Sequence, residues 1–239
     1  MRNIPKDYME KADKWNEFVK GLDKEDMFKV IFNLRTPVFV FQNIYFDSLL
    51  GYAITKKVFG SDFYNLNRDY FEEIVLYLPI KRIENPKDPD EYFYCCSYIP
   101  ETTNYIGFYT KKFYKNEIEY LNAKRVELNK GFTKEYKNVV TYRPLKTLEF
   151  KVQGNKEIVR DLLKEINYIG KKSAAGFGEV EDFVIEDIDN VNEFMFNKDG
   201  SLYRPLPIWF FDVENGKKIL SPIHSPYYTD KVKLYECYI

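Results

Sequence analysis

The sequence predicts an α/β fold of the α+β kind, two split β-α-β halves sharing one antiparallel sheet in the ferredoxin-like order. Three observations predict it. A strand pattern at Met27–Arg35 precedes a helix pattern at Ser48–Phe59. A second run of strand, helix and strand fills Thr147–Ile185. The 239 residues, 45% hydrophobic and 31% charged, suffice for a substantial core in one elaborated domain or a domain with a smaller lobe.

Residues 1–22 read as a helical extension. Pro5 suits a first helical turn, Tyr8, Ala12, Trp15, Phe18 and Val19 recur at helical spacing, and Gly21 ends the pattern. This helix either packs on the domain or docks a partner. The domain proper, residues 23–239, opens with Met27–Arg35, where Phe28, Val30, Phe32 and Leu34 alternate onto one face of a strand. After Thr36-Pro37, Asp47 is expected to cap a helix over Ser48–Phe59 that buries Leu49, Leu50, Ala53, Ile54 and Val58, with Gly60 ending it. Glu73–Ile80 reads as a strand, Glu84–Glu91 as a solvent loop because of its two prolines and its acids, and Glu91–Ile99 as a further strand.

Lys111–Lys146 changes character. Ten basic residues against four acidic ones give a local net charge of +6, interleaved with aromatic rings, and weak periodicity predicts a projecting hairpin or a partly mobile basic insertion. Such a segment is either a solvated charged loop or a surface for RNA or a partner. Lys124, Arg125 and Arg143 are its candidate contacts, since arginine pairs with phosphate and also stacks. Thr147–Val152 is a strand, Gly154 a turn, and Asn155 caps a helix with the stripe Ile158, Val159, Leu162, Leu163, Ile166 and Ile169. The loop Gly170–Gly178 leads into the strand Glu179–Ile185. The remainder, about 187–239, is read as an irregular tail wrapping the domain.

Composition narrows the function. Phe, Tyr and Trp make up 18% of the chain, which serves either an aromatic core or rings that stack on bases. Cys95, Cys96 and Cys237 have neither CxxC spacing nor an even count, and His224 is the only histidine, so neither a disulfide framework nor a usual zinc site is expected. No apolar run reaches the roughly 18–20 residues of a membrane span, and the first residues lack a signal-peptide core, so cytoplasm is the expected compartment. No cofactor is expected.

The loop Gly170-Lys171-Lys172-Ser173-Ala174-Ala175-Gly176-Phe177-Gly178 carries the functional argument. Its glycines permit positive φ and close backbone approach, its small residues leave main-chain amides uncovered, and Lys171, Lys172, Ser173 and Phe177 supply charge, a hydroxyl and a ring. Those groups hold a nucleic-acid backbone. The alternative is a tight helix-to-strand connection with two incidental lysines. A nucleotide P-loop fails, because Glu165 stands where its first glycine is needed and the order of helix and strand is reversed.

Ile169–Val180 resembles the glycine-rich loop of the RAMP superfamily, the RNA-binding proteins of CRISPR systems. Leu34-Arg35-Thr36-Pro37-Val38, Phe46-Asp47-Ser48-Leu49-Leu50, Leu78-Pro79-Ile80 and Arg204-Pro205-Leu206-Pro207 are similar to the cap-type subunit of type IV effector complexes. In that family this subunit is the counterpart of the one that grips the 5′ repeat-derived handle of guide RNA in Cascade. The resemblance implies a ferredoxin-like RAMP domain that binds guide RNA through Gly170, Lys171, Lys172, Ser173, Gly176, Phe177 and Gly178. It also implies a backbone RAMP subunit as partner, with a large subunit near target DNA. The chain departs from it in that Ser173-Ala174-Ala175 carries no arginine, where many such loops are more basic.

Two other functions stay in view. Some RAMP proteins cut precursor RNA without metal by general acid–base chemistry; here His224 lies between prolines in the tail, where a structural role is expected. A scaffold that binds no RNA would share only the α/β frame. Glu179, Glu181 and Asp182 are read as a solvated strand face, and Tyr92-Phe93-Tyr94 as core.

Overall fold

Alternation builds the central strand: in β1 (Asp26–Leu34), Phe28, Val30, Phe32 and Leu34 are buried and the residues between them are not. The computed structural model describes residues 4–38, 43–66, 74–99, 105–111, 136–142, 145–170, 173–190, 195–197, 200–210, 216–225 and 233–239. Besides β1, its elements in chain order are α1 (Lys6–Lys20), β2 (Ile44–Tyr45), α2 (Phe46–Phe59), β3 (Arg82–Asn85), β4 (Asp88–Tyr94), β5 (Tyr98–Ile99), β6 (Tyr105–Lys111), β7 (Tyr136–Tyr142), β8 (Thr147–Gly154), α3 (Lys156–Leu163), β9 (Val180–Asp187), β10 (Leu206–Pro207), β11 (Lys218–Ser221) and β12 (Tyr235–Tyr238). The chain is α+β with antiparallel sheets, the class the sequence predicts.

The central sheet runs β8-β1-β9, antiparallel throughout. Leu148, Phe150 and Val152 of β8 join the buried face of β1, and α2 and α3 cover it with Phe46, Leu50, Ile54, Val159, Leu162 and Leu163. Phe150 lies 6.1 Å from Phe32 and 5.3 Å from Phe46, centroid to centroid. Each such fully buried side chain contributes roughly 1.5–3 kcal/mol. Asn155 caps α3 as expected, accepting from the Ile158 N–H at 3.0 Å. Ile166 and Ile169 stay buried beyond the helix end.

The far edge of β8 holds a strand made of two pieces. Asn155 N–H donates to Pro79 O (2.9 Å) and Lys81 N–H to Gln153 O (2.8 Å). Further along, Gln153 N–H donates to Cys95 O and Ser97 N–H to Lys151 O, both at 2.8 Å. Between the pieces the hairpin β3–β4 is extruded, its neck closed by Cys95 N–H to Lys81 O at 2.8 Å. The expected solvent loop at Glu84–Glu91 is thus the turn of a hairpin. Pro86 supplies the fixed φ of a turn, and Asn85 Oδ1 accepts from Lys87 N–H at 3.0 Å. The expected strand at Glu73–Ile80 is also corrected, Glu73 itself lying outside the described residues. Only Ile80 bridges to the sheet, and the backbone of 75–77 instead bonds α1, through Trp15 Nε1 to Tyr77 O and both amide atoms of Asn16.

Other boundaries moved for physical reasons. Helix α2 begins at Phe46, with Asp47 buried inside its first turn rather than capping it from outside. The tail is not irregular: β10-β12-β11 form a sheet of their own. This sheet carries a second core of Leu202, Tyr203, Leu206, Ile223, Tyr235, Cys237 and Tyr238 against Phe93, Cys95 and Ile188. Cys95 and Cys96 point to opposite sides of the edge strand, one into each core. Arg204, 1% exposed, ties the layers together by donating to Tyr94 O (2.8 Å), Cys96 O (3.3 Å) and Ile223 O (2.7 Å). Strands β6 and β7 pair as a hairpin, β7 falling inside the basic segment 111–146. Residues 112–135 and 143–144 of that segment lie outside the described residues. Among the described residues no helix is long and apolar enough to cross a membrane.

Candidate functional site

The loop after α3 is pinned at its base and exposed at its tip. Ile169, fully buried, donates its N–H to Gly178 O at 2.8 Å, and Gly178 N–H donates to Pro37 O at 2.8 Å. Val180 N–H reaches Asn167 O at 2.9 Å, and Glu179 N–H reaches Thr36 Oγ1 at 2.8 Å. Arg35 N–H completes the seat on Glu179 O at 2.9 Å. Thr36-Pro37, at the end of β1, therefore hold the loop from a distant part of the chain.

Gly178 has to be glycine for two reasons. Its φ is +69°, a region L side chains avoid, and a Cβ there would lie 1.9 Å from Ile169 O. Gly176, also at positive φ (+82°), has open space instead. Its N–H donates to Ser173 O at 2.8 Å, closing a single 3-10 turn over Ser173–Ala175. Gly170 (φ 88°), Ser173, Ala174, Ala175 and Gly176 are exposed, while Phe177 is half-buried.

Of the residues expected to bind RNA, the fold gathers Gly170, Ser173, Gly176, Phe177 and Gly178 into one loop. Lys171, Lys172, Lys124, Arg125 and Arg143 lie outside the described residues. The expectation of uncovered amides needs correction at two positions, since the N–H groups of Gly176 and Gly178 are engaged within the protein. The reason is closure: a loop that returns straight into β9 satisfies its own backbone at the base. Sequence reasoning missed Tyr168, a residue 43% exposed beside the loop. Its signal was position alone, an aromatic two residues before Gly170.

Charge next to the seat is already paired. The guanidinium of Arg35 lies 3.1 Å from Glu179 and 3.8 Å from Glu181. Asp182, exposed, accepts from Asn33, and Lys29 pairs with Glu186 at 2.8 Å, so this side of β9 is the solvated, mostly acidic face expected.

A second group of aromatics lies where the hairpin β3–β4 meets the tail. Arg82 sits 3.8 Å from the Tyr92 ring centroid, and His224 stacks on that ring at 4.2 Å and 9°. Burial pushes the His224 imidazole below its ordinary pKa, and Nδ1 hydrogen-bonds with Ser225 O at 2.8 Å. Phe93 and Tyr94 are core, as expected, with Tyr92 half-buried above them. All three thiols are free and buried; burial raises Cys95 to about 12 and Cys237 to about 11, and lifts Cys96 as well. Among the described residues no group of three or more histidine, cysteine or acidic side chains is placed to hold a metal ion.

Compared with known proteins, residues 87–235 match a family model described as CRISPR type IV associated protein Csf3. The matched span takes in β4, β8, α3, the loop, β9, β10 and β11, and ends at Tyr235, the first residue of β12. No curated protein matches the chain.

Proposed function

The chain belongs to the family of CRISPR type IV associated protein Csf3, and from that premise we propose that it is the guide-RNA-holding subunit of a type IV effector ribonucleoprotein. In this reading it is a RAMP-type domain that caps the complex by gripping the backbone of the 5′ handle, and a backbone RAMP subunit is its neighbour. The observation that supports it most is the loop Gly170–Gly178. Its base is fixed to β1 and β9 by four main-chain hydrogen bonds and the Thr36 hydroxyl, while its small-residue tip stands in solvent.

The chemistry is positioning. Lys171 and Lys172, next to Ser173 in the sequence, would meet phosphates; Ser173 offers a hydroxyl; Phe177 and Tyr168 flank the loop with rings. Base pairing by the RNA then supplies sequence choice. Holding rather than cutting is favoured by His224, the chain's one histidine, whose ring is stacked on Tyr92 with its basicity lowered by burial. Such a group serves packing better than proton transfer.

Filter binding of labelled repeat RNA to purified protein tests the reading. Lys171→Ala with Lys172→Ala is expected to weaken binding at least tenfold, on the order of 1.4 kcal/mol, with unchanged melting temperature. Equal affinity for wild type and variant sinks the loop assignment. Discrete cleavage of the same RNA in EDTA would instead make the protein a metal-independent endoribonuclease.

A further inference from the structure

β9 is an edge strand, and hydrogen-bond parity shows which of its groups face out. Outward bonds of Lys151 and Gln153 to the two-piece edge strand mean that odd residues of β8 turn away from β1. Even residues of β1 therefore bond β8, and Met27, Lys29, Ile31 and Asn33 bond β9. Ile188 N–H to Met27 O, at 2.9 Å, is one of that set. Their partners in β9 are Glu186, Val184 and Asp182. Phe183, Ile185 and Asp187 consequently turn their N–H and C=O groups outward. Along this edge the segment before the loop covers only the start, where Asn167 O takes the Val180 N–H and Tyr168 bridges Glu179. Among the described residues no strand pairs with β9 beyond that point.

Edges of this length are normally guarded by charged side chains, lysine above all, by proline or by a bulge. Val180–Asp187 contains neither lysine nor proline, and its one bulge lies at the start, opposite Asn33 and Leu34. Its middle is Phe183-Val184-Ile185, with Val184 46% exposed. Acids frame that centre: Glu181 and Asp182 on one side, Glu186 and Asp187 on the other. Lys29, Arg35 and Lys156 answer some of this charge through Glu186, Glu179 with Glu181, and Asp187. Asp182, together with Asp189 just beyond the strand, keeps the edge negative.

We propose that the edge of β9 from Phe183 to Asp187 docks an extended, lysine- or arginine-rich segment of a partner protein, which adds to the sheet as a further strand. The outward amides and carbonyls of Phe183, Ile185 and Asp187 supply the ladder, and the flanking acids choose a basic occupant. A second copy of this chain would set acid against acid across the new pair. Phosphates are repelled for the same reason. The inference stands on the sheet and its charges, independently of RNA binding by the loop.

A fluorescent peptide of alternating lysine and valine, titrated into the full-length chain and followed by anisotropy, tests it. A peptide of the same sequence with alternate amides N-methylated removes the ladder while keeping the charge. Ile185→Pro deletes one outward N–H without touching the β1 ladder, and Ile185→Ala controls for the lost side chain. The plain peptide is expected to saturate the protein, and the methylated one to bind at least tenfold more weakly. Ile185→Pro should bind about fivefold more weakly than Ile185→Ala. Glu181→Gln with Asp182→Asn should weaken binding further and flatten its salt dependence.

Equal binding of the two peptides, or none up to about 1 mM, overturns the proposal. So does self-association in sedimentation that Ile185→Pro abolishes, because the occupant would then be a second copy. Should Ile185→Pro fail to fold, the two peptides on wild-type protein still decide.

Discussion

Replacing Gly178 with alanine separates a glycine needed for space from one needed only for conformation. At Gly176 an added methyl meets nothing within 4 Å, so Gly176→Ala carries only the cost of a left-handed φ, about 1–2 kcal/mol. At Gly178 the same cost applies, and the methyl would lie 1.9 Å from Ile169 O and 3.0 Å from its carbonyl carbon. That contact is with backbone, so no rotamer change relieves it. The chain must separate there, losing the bonds of Ile169 N–H to Gly178 O and Gly178 N–H to Pro37 O, roughly 1 kcal/mol each. Gly178→Ala is therefore expected to cost about 3–4 kcal/mol, a large share of a domain's 5–15 kcal/mol. At roughly 2–4 °C per kcal/mol for a chain of this size, Gly176→Ala should melt a few degrees below wild type and Gly178→Ala about 10 °C below. Differential scanning calorimetry on the three proteins measures it. Two variants melting together would refute the claim that the loop base is sterically locked.

Arg204→Met should lower stability by about 2–4 kcal/mol in urea titration, because it keeps volume while taking the guanidinium donor from the buried carbonyls of Cys96 and Ile223 and leaving Tyr94 O only the Cys96 N–H. The His224 imidazole, depressed by burial, gives a pH test. Above its ordinary value near 6.5 both folded and unfolded forms are neutral and stability is unaffected. Below that value the unfolded chain takes the proton first, so stability is lost as pH falls from 6.5 toward the lower folded pKa. His224→Phe, which preserves a ring over Tyr92, should flatten the melting temperature across that window; an unchanged slope would mean other groups carry it.

The elements legible in the sequence are those whose own residues settle their conformation. Phe28, Val30, Phe32 and Leu34 alternate whatever surrounds them, and the stripe of α3 with Asn155 before it signals a capped helix. What was not legible depends on partners remote in the chain. The backbone of Val75–Tyr77 looks like strand because its residues favour one, yet Asn16 and Trp15 of α1 take its hydrogen bonds. β10 holds two residues and is defined only by its pairing with β12, which lies some thirty residues further along the chain. A two-residue strand containing a proline has no periodicity to read. The same division applies to the loop. Its glycines announce unusual backbone, but that Thr36 and Pro37 form the seat follows only from the bulged return of β9 along the end of β1.

The ion pairs around the loop bear on how many phosphates it could hold on the proposed reading. Arg35 faces Glu179 and Glu181; Lys56 meets Glu165 at 3.1 Å; Lys57 and Lys164 share Asp161, whose carboxyl their hydrogen bonds hold below its ordinary pKa. A cation already paired at hydrogen-bond distance with a carboxylate displaces few counterions from an arriving RNA. On the proposed reading the loop's phosphate contacts are those of Lys171 and Lys172, and for single-stranded RNA each neutralised phosphate adds about 0.7 to the slope of log affinity against log salt. Two contacts predict a slope near −1.4, about sevenfold weaker binding when salt rises fourfold. A measured slope much steeper than this would place most of the contacts elsewhere, and the basic segment 111–146, with its net +6, is the part of the chain able to supply them. A slope near −1.4 that vanishes in the double lysine variant would put the grip in the loop alone.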